Sequence, residues 1–190
     1  MNKWDQKRKI IRRYDLTAQM YDARYKEEQE AKYKLAVESL RVNSRFILDV
    51  GCGTGLFFTY IAAKAKIVVG LDISSELLAK AKQRARNLCN VHLVRGDADH
   101  LPFRSYSFNV VSAFTVLQNM PNPLITLKEI KRAAKPNGSI IVTGLKKAFS
   151  LKAFSQLIRK AGMSTIFVRA DNFLKCYVAF VSLKIGKSAT

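Results

Sequence analysis

The stretch Ile47-Leu48-Asp49-Val50-Gly51-Cys52-Gly53-Thr54-Gly55 constrains this chain more than any other. An apolar, strand-like run leads directly into a glycine-rich turn, and a helix-like segment at 56–64 follows it. Glycines let the backbone turn sharply and approach a ligand closely, while the start of a helix offers unpaired N–H groups. A nucleotide-like ligand is implied. The dinucleotide fingerprint G-x-G-x-x-G needs a third glycine where Leu56 stands, and no Gly-Lys-Ser/Thr follows for a phosphate-binding P-loop.

The same alternation continues downstream. Strand-like runs at 46–50, 67–71, 91–95, 108–114 and 139–143 are interleaved with helix-like segments at 56–64, 75–88 and 124–134. Such alternation predicts βαβ units and an α/β fold: a Rossmann-like, doubly wound, mainly parallel sheet. A helix at 151–161 and strands at 165–169 and 175–183 complete seven strands, the last pair separated by a short polar turn that suits antiparallel pairing. Residues 1–45 contain neither Gly nor Pro and read as two helices joined near Asp22 to Lys26. The expected organisation is an N-terminal helical lid (1–45), a main domain (46–184) and a tail (185–190).

Composition narrows the class. With 190 residues and 48% apolar content the chain can bury one ordinary core, which excludes wholesale disorder. Three cysteines (Cys52, Cys89, Cys176) do not make a disulfide scaffold, no run is long enough to span a bilayer, and no signal core is visible at the start. A soluble, cytoplasmic protein is expected. No metal-ligand set is apparent. The formal charge is +19, and residues 146–190 carry nine basic groups against a single acid, so a polyanionic partner is a candidate.

Two acids stand at the ends of later strands: Asp72 after Val68-Val69-Gly70-Leu71, and Asp97 in Gly96-Asp97-Ala98. Open α/β sheets bind ligands at such carboxyl ends, and an acid there can accept ribose hydroxyls. The ordered set LDVGCGTG, GLDIS, GDADHLPF, SFNVVSAFTVLQNM and LKEIKRAAKPNGSIIVTG resembles the class I S-adenosylmethionine-dependent methyltransferases over about residues 46–145. The resemblance implies S-adenosyl-L-methionine as cofactor and assigns roles by position. Asp49 would set the loop and the cofactor's amino group, with Gly51, Cys52, Gly53 and Gly55 along the methionine part. Asp72 would hold the ribose hydroxyls with Ile73 beside the adenine. Asp97 would accept from the adenine amino group beside the Ala98 backbone, and Phe114 and Thr115 would floor the sulfonium. Tyr14-Asp15-x-x-Ala18-x-x-Tyr21-Asp22 resembles the lid helix of quinone-type members, with Tyr21 covering the cofactor.

The chain departs from that pattern at Asn109, where the family usually has Asp, and at Gln118-Asn119, where many small-molecule members carry a His pair. No general base is evident; Tyr14, Asp15, Tyr21, Gln118 and Asn119 are candidates for positioning an acceptor. The charge favours RNA (transfer or ribosomal) as the methyl acceptor, with Lys7, Arg8, Lys9, Arg12, Arg13, Lys146, Lys147 and Lys152 tracking phosphates. A small quinone-like or lipid-like acceptor is the alternative. A non-catalytic cofactor-binding subunit and a protein methyltransferase rank lower.

Overall fold

A computed structural model describes residues 2–40 and 42–183; the 185–190 tail lies outside them. Strand β1 (Phe46–Val50) is central, with Ile47, Leu48 and Val50 fully buried, as its unbroken apolar run requires. β2 (Ile67–Asp72), β3 (Val91–Arg95), β4 (Phe108–Ala113), β5 (Ala134–Leu145), β6 (Ser164–Arg169) and β7 (Cys176–Ser182) complete a seven-stranded sheet in the order β3-β2-β1-β4-β5-β7-β6. β1 to β5 pair in parallel, and β7 runs antiparallel to both of its neighbours. The strand order reverses between β1 and β4, which opens a crevice at their carboxyl ends.

The helices are α1 (Lys3–Thr17), α2 (Tyr21–Ser39), α3 (Phe58–Ile61), α4 (Ser75–Arg84), α5 (Pro123–Ala133) and α6 (Leu151–Lys160). Two apolar layers hold helices α2 through α6 to the sheet. One joins Tyr33 and Ala36 of α2, and Leu40 just beyond it, to Ile47, Phe57 and Phe58; the other joins Leu127 and Ile130 of α5 and Phe154 and Ile158 of α6 to Leu48 and Val111.

Three local expectations need correction. The break between the N-terminal helices is a 3-10 turn at Ala18–Met20, earlier than Asp22, so Tyr21 and Asp22 open α2. The helix expected over 56–64 shrinks to the single turn α3, because Phe58, Tyr60 and Lys64 donate to carbonyls three residues back and the chain tightens around buried Phe57, Phe58 and Ile61. β5 begins at Ala134, directly after α5, with a register shift opposite Phe108 and Val110. At that irregularity a Cβ on Gly138 would stand 2.8 Å from the Lys135 carbonyl oxygen and 3.1 Å from that of Asn109.

Candidate functional site

The carboxyl ends of β1 to β4 and the inner face of α1 enclose one cleft of about 670 Å³, counting its open mouth. Tyr21, Gly51, Gly53, Asp72, Ile73, Asp97, Ala98, Phe114 and Thr115 all line it, joined by Lys7, Ile10, Tyr14, Leu71, Leu77, Val116, Asn119 and Met120 among others. Asp49, Cys52 and Gly55 stand behind this wall rather than on it.

The glycine loop is held from two directions. Gly53 has φ +56°, and a Cβ there would meet only the Tyr21 ring at 3.8 Å, so bare backbone faces the space beneath that ring. Gly51 has φ +69° and lacks even that room, since a Cβ would strike Val116 at 2.5 Å. From the sheet side, Asp72 Oδ2 accepts the Gly53 N–H at 2.8 Å and Oδ1 accepts the Ser74 N–H at 2.9 Å. Burial pushes the Asp72 carboxyl above its usual range, opposed by these backbone donors.

From the helix side, Asp22 accepts the Thr54 hydroxyl at 2.6 Å and the Arg84 guanidinium at 2.5 Å, while Arg84 also donates to the Thr54 carbonyl. Burial opposes ionisation of Asp22, but these donors outweigh it and leave the carboxyl below its ordinary range. The clamp fixes the start of α2 on the loop and sets Tyr21 over Gly53. The Tyr21 phenol accepts from Gln29 Nε2 at 3.3 Å, and burial raises its pKa, so it stays protonated. Behind the wall, buried Asp49 accepts the Ser112 hydroxyl at 2.7 Å, and burial raises its carboxyl to about 7.

The expectation that Lys7 tracks phosphates needs correction. Lys7 sits on α1 with only 9% of its side chain exposed, and its Nζ reaches Asp97 Oδ1 and Oδ2 at 2.8 and 2.7 Å and Asp99 Oδ2 at 2.6 Å. Lys7 is therefore committed to two interior carboxylates and does not track phosphates. Lys146 is likewise committed, donating to the carbonyls of Ala170 and Asp171.

A second buried lysine, Lys32 on α2, donates to Thr115 Oγ1 at 3.0 Å and pairs with Glu28 at 3.3 Å. Thr115 has φ +61°, a costly conformation for a β-branched residue, and is held there from several sides. Its N–H donates to Thr143 Oγ1, and its carbonyl accepts from Gln118 and Asn119. Asn119 also donates to the Tyr14 phenol at 2.9 Å. His92 and His100 are both exposed and neither lines the cleft.

Residues 48–142 match the family model described as a methyltransferase domain, half of the 190-residue chain. Demethylmenaquinone methyltransferase of Staphylococcus haemolyticus is 42% identical over 98 residues, covering 50% of this chain and 41% of that protein. Malonyl-[acyl-carrier protein] O-methyltransferase of a Marinomonas species is 32% identical over 142 residues, covering 73% of this chain and 52% of that one. The chain thus spans about half the length of the curated relatives it matches. A SAM-dependent methyltransferase structure from Aquifex aeolicus superposes with a TM-score of 0.78 at 18% identity, over 89% of this chain and 98% of the other, which is a likeness of fold. With half of its length under the family model and a fold shared over 89% of its length with the Aquifex structure, this chain belongs to the class I S-adenosylmethionine-dependent methyltransferases.

Proposed function

We propose that this chain methylates a small, largely apolar acceptor held beneath its N-terminal helices, with residues 1–45 serving as the lid of the domain at 46–184. The observation that carries this reading is the apolar surface of the cleft, to which Ile10, Tyr14, Phe114, Val116 and Met120 contribute alongside the strand-end carboxylates. Relatives named for demethylmenaquinone and for a malonyl-acyl carrier support it over RNA. The RNA expectation rested on charge, and two of the basic groups it invoked, Lys7 and Lys146, are engaged within the fold.

The residues present fit S-adenosylmethionine. Each Asp72 oxygen accepts one backbone N–H and keeps further acceptor capacity, which suits a pair of ribose hydroxyls. Leu71, Ile73, Leu77 and Ala98 give a flat ring an apolar surface, with Asp97 at its edge. Bare backbone at Gly53 beneath Tyr21 leaves room for close approach. When bound, the cofactor supplies a methyl group on an electrophilic sulfonium, so the protein's part is alignment and exclusion of water. Phe114 and Thr115 floor the site, Tyr21 covers it, and Tyr14 with Asn119 orients the acceptor.

Transfer of labelled methyl from S-adenosylmethionine into fractionated RNA, protein and small-molecule extracts tests the reading. Label in the organic-soluble, low-mass fraction supports it. Label confined to RNA or protein overturns it.

A further inference from the structure

Helix α1 has two working faces. Lys7, Ile10 and Tyr14, spaced three and four residues apart, line the cleft. The opposite face carries Lys9, Arg12 and Leu16, all exposed, and Met20 follows in the adjoining turn. Leu16 is 75% exposed, Met20 64% and Trp4, near the helix start, 50%. The two acids of α1 leave this face's charge uncompensated: Asp5 pairs with Arg8, and Asp15 accepts from Ser74 on the domain side. Among the described residues, Lys9 and Arg12 of this face make no ion pair.

We infer that the outer face of α1 docks on an anionic bilayer surface, so that the cleft opens where a lipid-soluble acceptor is concentrated. The inference rests on the small apolar acceptor proposed above. Its chemistry is that of an interfacial helix: cations meet the anionic headgroups, while Trp, Leu and Met side chains enter the boundary beneath them. Exposed Leu16 and Met20 separate this occupant from RNA, because phosphates recruit the cations and give the aliphatic side chains nothing to enter. No helix among the described residues is long and apolar enough to cross a membrane, so the contact is a surface one.

Trp4 is the chain's single tryptophan and reports the contact directly. With vesicles of phosphatidylcholine containing about one-third phosphatidylglycerol, its emission should shift to the blue and the protein should co-sediment; with pure phosphatidylcholine neither should occur. Lys9→Ser/Arg12→Ser should weaken vesicle binding about 25-fold, from roughly fivefold per cation. Leu16→Ser/Met20→Ser should weaken it severalfold at unchanged charge. Both variants should keep the wild-type melting temperature and cofactor affinity. No binding to anionic vesicles at low salt overturns the proposal. So does binding indifferent to Leu16 and Met20, or equal competition by a homopolymer RNA, which would make the face a polyanion site. Methyl label confined to RNA or protein would sink the small-acceptor reading instead, whereas loss of vesicle binding alone overturns only the docking.

Discussion

Replacing Lys7 with methionine should release α1 from the sheet. Methionine keeps an apolar stem of similar length and deletes the ammonium that Asp97 and Asp99 share at 2.6 to 2.8 Å. The Lys7, Asp97 and Asp99 side chains are only 9%, 17% and 7% exposed, so water does little to screen the stranded carboxylates. Removing one partner of such a buried pair costs about 3–5 kcal/mol, because the remaining charges are desolvated and unpaired. The strain has an outlet: α1 can lift and admit water, so the cost should surface as local opening rather than global unfolding. Even the lower figure corresponds to about a hundredfold more frequent opening. Hydrogen exchange read by mass spectrometry on peptides from Lys3–Thr17 measures it, with β1 and β4 peptides as internal references. Adding Asp97→Asn and Asp99→Asn to Lys7→Met should restore part of the protection, since no unpaired charge then remains. Exchange in α1 within about twofold of wild type, in a folded variant, would refute the argument that this bridge holds the helix.

The other predictions address the cofactor loop. Asp72→Ala should weaken S-adenosylmethionine binding at least tenfold by calorimetry, because it deletes both the hydroxyl acceptor and the anchor of Gly53; unchanged affinity refutes the ribose assignment. Asp22→Ala should uncouple Thr54 and Arg84 from α2, lowering cofactor affinity severalfold with little loss of melting temperature, since the pair is partly exposed. Asp49 titrates near 7 in the folded protein against 3.8 for a free carboxyl, so the native state holds a proton that the unfolded state releases. Wild type should therefore lose stability relative to Asp49→Asn as pH rises from 3.8 to about 7, with no further divergence above that. Urea unfolding across the range measures this, and parallel pH profiles for the two proteins would contradict the burial argument.

Much of this site is readable from residue order because the strand ends are written locally. An apolar run followed by glycines or an acid fixes where β1, β2 and β3 stop, and parallel pairing then brings Gly53, Asp72 and Asp97 to one cleft. What escaped were charges that the fold takes inside. Lysine is a surface residue by type, yet Lys7, Ile10, Tyr14 and Ala18 repeat every three or four positions, the spacing of a single buried face. Lys32 lies on the face of Gln29, Tyr33 and Ala36 in the same way. Arg84 reads as a cation favouring a helix C-terminus, whereas its guanidinium reaches Asp22, distant in sequence. Such partners are set by tertiary closure, and no local pattern announces them. The junction between α1 and α2 escaped for another reason: no Gly or Pro marks a 3-10 turn built from Ala18-Gln19-Met20.

The two N-terminal helices are attached by different physics, and the difference decides which one can act as a gate. In α2, Tyr33 and Ala36 belong to the same apolar layer as Ile47 and Phe58, so lifting it would expose core to water. In α1 the only buried residue is Lys7, and besides the contact of the Tyr14 and Tyr21 rings its ties are mostly polar: Asp15 to Ser74, Tyr14 to Asn119, and Arg13 to Asn119. Once the helix parts from the cleft, water can replace these partners, because a hydrogen bond opened to solvent is exchanged rather than lost. The Lys7 bridge, which holds three charges largely out of water, resists that exchange. Tyr21, clamped through Asp22 to the loop, stays with the domain, while Tyr14 leaves with α1. If residues 1–45 form the lid proposed above, opening the site calls for movement of α1 rather than of α2, and a ligand that favours the closed state would act through the residues α1 contributes to the cleft: Lys7, Ile10 and Tyr14.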